Sequence, residues 1–136
     1  MDVKGSGTKE DPWVMKTRPG KSEYLIWKDE SADPPALMCK VGATVLGYHL
    51  RGLEDCHAML KAHGDWMELG NKDEGKDTKE GPVEHWARAA DNPLGGYYGI
   101  KKGLRGRITN YVTPVMEMLG MVELEHNAHN NRVRAI

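Results

Sequence analysis

The chain has 136 residues, 39% hydrophobic and 29% charged, with a formal net charge of −1, values that suit a soluble globular protein large enough to build a core without staples. The longest stretch free of Asp, Glu, Lys and Arg is residues 41–50, about half of what a membrane helix needs, and the N-terminal MDVKGSGTKED has no apolar segment for a secretory signal. Phe is absent, so bulky apolar volume must come from four Trp, five Tyr and eight Met, side chains with polar tips or soft thioethers.

Residues 1–10 are small and polar and are expected to be disordered. Trp13-Val14-Met15 leads into Thr17-Arg18-Pro19-Gly20, where Pro second and Gly third predict a type II turn. Ser22 to Lys28 holds Tyr24, Leu25, Ile26 and Trp27, the content of a strand, and Ser31-Ala32-Asp33-Pro34-Pro35 breaks it. Ala36–Val41 and Thr44–Leu50 flank Gly42-Ala43, a two-residue hairpin signal. The first half thus reads as a three- or four-stranded antiparallel meander. Leu53, Cys56 and Leu60 recur at helical spacing over Arg51–His63, with acids in the first turn and Gly64 as the stop.

Asn71–Gly81 (NKDEGKDTKEG) is nearly all charge and Gly and predicts a mobile loop, dividing a β-rich half (11–70) from a helical half (82–136). Pro82 suits the first position of a short helix to Ala90, with Val83 and Trp86 inward and Asn92-Pro93 ending it. Gly95, Gly96, Gly99, Gly103 and Gly106 then interleave with Lys101, Lys102, Arg105 and Arg107. One reading is close backbone approach to a phosphate that the cations neutralise. The other is packing, with Gly99, Gly103 and Gly106 on one face of a helix whose apolar spacing runs from Ile100 through Leu119; each interior Gly costs such a helix about 1 kcal/mol relative to Ala. Around Pro114 the helix either restarts at Thr113 or kinks, and Gly120 ends it. Beyond it Val122 and Leu124 alternate with Glu123 and Glu125, and Val133 with Arg132 and Arg134. These strands predict a hairpin whose glutamates and arginines pair across its outer face.

Residues 1–100 carry 13 Lys and Arg against 17 Asp and Glu, while residues 101–136 carry 6 against 3. That contrast suits an anionic partner at the basic end or neutralisation within the chain. Cys39 and Cys56 lack CxxC spacing and read as reduced, buried thiols, which without an export signal places the chain in the cytoplasm. His126 and His129 are too few ligands for zinc without a Cys pair, and the acidic loop has no EF-hand register. No Walker or GxGxxG pattern is present.

The run YVTPVMEMLGMVELEH followed by NNRVRAI resembles the helix-to-wing junction of winged helix-turn-helix domains, with Leu119-Gly120-Met121-Val122 at its centre. The resemblance implies a recognition helix ending at Leu119, with Arg107, Asn110 and Tyr111 on its exposed face. The glycine-laced approach, a wing tip without cations and Pro114 inside the helix depart from that pattern. The whole chain also resembles a family of small uncharacterised bacterial proteins carrying HGDWMELG and GGYYGIKKGLRGR, which implies no known activity.

The combined expectation is an α+β fold: a β-meander with one helix, then a helical half closed by a C-terminal hairpin, in one domain over residues 11–136. Three functions stand open. A nucleic-acid-binding or regulatory module would use Lys101, Lys102, Arg105, Arg107, Asn110 and Tyr111. A protein-interaction or structural domain without catalysis would expose an aromatic patch. An enzyme or small-ligand binder would need a cleft with converging polar groups. No catalytic residue, metal site or cofactor is assigned, and no membrane partner is expected.

Overall fold

The structure, a computed structural model, describes residues 4–16, 22–127 and 129–136. Strands β1 (Trp13–Lys16), β2 (Glu23–Asp29), β3 (Ala36–Val41) and β4 (Thr44–His49) form one antiparallel sheet in chain order. The expected turn at Thr17–Gly20 lies outside the described residues. Between β3 and β4 the pair Val41–Thr44 closes the two-residue loop, and Gly42 at φ +60° supplies the left-handed position that loop requires. Backbone bonds from Val14 to the Lys4 carbonyl and from Lys28 to the Gly7 carbonyl seat segment 4–11 against the β1 side. At the other side, His49 and Ile100 bond to Tyr98 and Gly47 across the β4 edge.

Strand pleating sends alternate side chains to opposite faces. Tyr24, Ile26, Leu37, Cys39, Leu46 and Tyr48 turn inward and are buried. Helix α1 (Gly52–His63) follows as the apolar spacing predicts, burying Leu53, Cys56 and Leu60 and ending on Gly64 in the left-handed conformation. A second sheet joins β5 (Met67–Glu68), β6 (Val122–Leu124) and β7 (Arg132–Ala135) in the order β5-β7-β6. The C-terminal hairpin is therefore present, with a short third strand added from the segment after α1. One cluster of buried apolar residues runs from Trp13 through Tyr98 to Val133 and links both sheets.

The helical half is less regular than its apolar spacing suggests. Helix α2 is only Val83–Trp86, not Pro82–Ala90. The Asn92 amide donates to the Trp86 carbonyl at 2.7 Å, and the chain after Trp86 tightens into short-range bonds from Arg88 to His85 and from Ala89 to Trp86. Residues 95–107 form bends and turns rather than a helix. At Gly99 a Cβ would lie 2.4 Å from the Arg105 Cα, and at Gly106 one would lie 2.5 Å from the Glu74 nitrogen. The glycines are there because backbones nearly touch. The last helical stretch is two pieces, α3 (Ile108–Tyr111) and α4 (Thr113–Met118), broken at Val112. Pro114 sits in the first turn of α4, and the Thr113 hydroxyl donates back to the Thr109 carbonyl at 2.6 Å instead of capping α4.

Candidate functional site

The acidic segment after β5 lies against the glycine-rich segment, and three arginines hold it there. Arg88 projects from the turn after α2, with its side chain only 9% exposed. Its Nη1 lies 3.2–3.3 Å from the carbonyls of Asp73, Glu74 and Lys76, and its Nη2 donates to Lys72 at 3.0 Å and to the Glu84 carboxylate at 2.7 Å. Glu84 is 1% exposed and also accepts from the Thr109 hydroxyl at 3.3 Å. Burial pushes its carboxyl up from the usual value, opposed by the Arg88 guanidinium. Arg105 pairs with Glu74 and lies 4.1 Å over the Tyr97 ring, while Arg107 pairs with Asp73. The Gly103 amide adds a bond to Glu74 at 2.8 Å. These arginine hydrogen bonds hold both carboxyls below their usual values. Residues 72–76 thus form a strap over the 103–107 segment. Between the strap and the β3–β4 hairpin lies an open cleft of about 290 Å³, lined by Val41, Leu46, Leu104, Arg107 and Tyr111 among others.

The six residues singled out for nucleic acid differ in exposure and in pairing. Lys101 and Lys102 are exposed and pair with no carboxylate among the described residues. Arg105 and Arg107 are engaged by the strap. Asn110 is half-buried, and Tyr111 is buried edge-on against Tyr24 with centroids 5.2 Å apart. Across α3 and the start of α4, every residue from Ile108 to Met116 except Asn110 is buried. On the hairpin, Arg132 pairs with Glu125 at 2.7 Å and Arg134 with Glu123 at 2.9 Å, as the alternation predicts. Both guanidiniums also stack over Trp66, at 5.3 and 4.6 Å, a contact the sequence reading missed. Among the described residues no cluster of three or more His, Cys, Asp or Glu side chains is arranged to hold a metal ion, and no helix is long and apolar enough to cross a membrane.

The other surface of note is the outer face of the β1–β4 sheet. By register it carries Val14, Leu25, Trp27, Met38 and Val45, none of which belongs to the buried cluster or packs against it. Val45 and the adjoining Ile100 are each 38% exposed. Ile100 lies beside Gly47, which has no side chain to fill the centre of β4. The signal was present in the sequence: Tyr24-Leu25-Ile26-Trp27 and Ala36-Leu37-Met38-Cys39 hold no polar residue. Strands covered on one face alternate, whereas strands covered on both read as continuous apolar runs. The chain covers the inner face fully and the outer one in part: Val14, Leu25, Trp27 and Met38 are half-buried, and Ala36 on the same face is buried.

No curated protein and no solved structure matches the chain. A family model does match, over residues 5–136, and the chain belongs to that family of unknown function, DUF6855.

Proposed function

We propose that the protein is a protein-interaction domain that works without catalysis, binding its partner through the outer face of the β1–β4 sheet. The observation that carries this reading is a row of Trp27 beside Met38, flanked by Leu25, Val14 and Val45, on a sheet face outside the core. Aromatic and Met side chains at the centre of a patch are the usual anchors of protein interfaces. Both lateral edges of the sheet already bond to segment 4–11 or to Tyr98 and Ile100, which directs contact to the face rather than to strand addition. The cleft beside Arg107 offers a small ligand a volume, but its charges are spent on each other. The buried, unpaired Cys39 and Cys56 suit a reducing compartment.

The test is accessibility of that face in dilute protein. An apolar dye should bind the folded chain and be displaced by Trp27→Lys, with circular dichroism unchanged, and Trp27 emission should be quenched by iodide. Failure of the dye to bind, with Trp27 shielded in a chain shown to be monomeric, would reject the reading.

One observation favours a second reading, a nucleic-acid-binding module: Lys101 and Lys102 stand adjacent, exposed and unpaired among the described residues. With Arg105 and Arg107 already paired, two phosphate contacts give duplex binding a salt slope of about −2 on logarithmic axes. Lys101→Ala with Lys102→Ala should abolish that binding. No binding to duplex DNA or RNA at low salt would discard this second reading.

A further inference from the structure

We infer that the occupant of the outer sheet face is a second copy of this chain, docked face to face about a two-fold axis that runs along the strands between β2 and β3. The inference rests on the interaction reading and supplies its partner. An isologous interface demands self-complementarity, and a surface for an unrelated partner does not. Such an axis keeps every cross-strand row opposite itself while exchanging β2 with β3 and β1 with β4. In the row formed by Trp27 and Met38, it places Trp27 on the partner's Met38 and Met38 on the partner's Trp27, two thioether–aromatic contacts. In the neighbouring row, which joins Val14, Leu25, Lys40 and Val45, it places Val14 on the partner's Val45 and brings Lys40 over the partner's Leu25.

Apart from Lys16, which stands across from Glu23 in its own sheet, the charged positions of the face obey the same operation. Glu23 stands one row beyond Leu25 on the same face of β2, so Lys40 comes within reach of the partner's Glu23, and the symmetry repeats this pair. At the opposite end Asp29 and His49 flank Ala36 in one row, and the axis brings Asp29 towards the partner's His49. An axis across the strands through the gap between the Leu25 and Trp27 rows would instead set Asp29 on the partner's Glu23, a like-charge contact. Aligned sheets pack in this way with about 10 Å between them. Near-zero net charge leaves little long-range repulsion to oppose association.

Sedimentation equilibrium of the full chain over a dilution series, beside the dye and iodide measurements on the same samples, tests the inference. The expected result is a reversible dimer whose Trp27 emission becomes shielded as it forms. Lys40→Glu and Glu23→Lys should each weaken dimerisation at least tenfold, and the double exchange should restore it, because the pair is re-formed with its signs reversed. Both charge substitutions are at exposed positions, and circular dichroism verifies that each variant is folded. A monomer at every concentration with an open, dye-binding face would overturn the second copy as occupant and leave the interaction reading intact. A dimer indifferent to Met38→Asp, or one that the double exchange does not rescue, would overturn this geometry.

Discussion

At the scale of single residues, glycine shows how a local pattern misleads. Gly99, Gly103 and Gly106 have near-helical spacing, yet they serve two different purposes in a non-helical segment. Gly103 sits at φ +91° with open space around it, whereas Gly99 and Gly106 are places where two backbones meet. At Gly99 the obstruction is backbone, the Cα and carbonyl of Arg105, which no rotamer change relieves. Gly99→Ala should therefore cost about 2 kcal/mol or more, the range of overpacked sites. Gly96 has no positive φ and nothing within 4 Å of its ideal Cβ. Gly96→Ala should be neutral or stabilise by about 0.5 kcal/mol through the unfolded chain. Urea midpoints at constant m-value separate the two; equal losses at both positions would refute the close-approach account.

Between elements, the strap is organised by one buried ion pair and trimmed by a half-buried and an exposed one. Removing the carboxylate with Glu84→Ala strands the Arg88 guanidinium, whose side chain is 9% exposed, and should cost about 3 kcal/mol or more. Arg107→Ala removes a half-exposed partner of Asp73 and should cost under about 1 kcal/mol. Urea unfolding ranks the two, and a reversed order would sink the view that Glu84 and Arg88 anchor the strap. The meander, α1 and the Glu–Arg hairpin were legible because their signals are local: period-two alternation, an apolar stripe and paired charges a few residues apart. The strap was not, since Arg88, Arg105 and Arg107 meet it from 12 to 34 residues away, and a run of charge and glycine looks the same whether it faces water or a guanidinium. For the same reason the carboxylates that engage Arg105 and Arg107 could not be read beside the basic segment. The outer sheet face was readable in its unbroken apolar runs, but a run does not say which of its two faces the chain leaves partly open.

Taken as a whole, the molecule joins its acidic and basic regions through such pairs, and its stability should record their titration. Asp73, Glu74 and Glu125 each have a carboxyl lowered chiefly by an arginine hydrogen bond, from usual values of 3.8, 4.5 and 4.5. A lowered native value means that the unfolded chain takes up protons first, so the stability these groups contribute is present above about 4.5 and lost as pH falls through the lowered values. Glu84 is shifted upward by burial and acts in reverse, so its protonation on acidification from neutral favours the folded state before the others are lost. On the alkaline side, burial pushes the Cys39 and Cys56 thiols from 9.0 up to about 12. Unfolded thiols then ionise first, and stability should fall above pH 9.0 by about 1.4 kcal/mol per pH unit for each thiol. Urea unfolding across pH should give a curve that declines below about 4.5 and again above 9.0. Arg105→Gln with Arg107→Gln should flatten the acid limb without touching the alkaline one, and Cys56→Ala should lessen only the alkaline slope. An acid limb unchanged by the double arginine variant would mean that the strap's ion pairs do not link the two regions energetically.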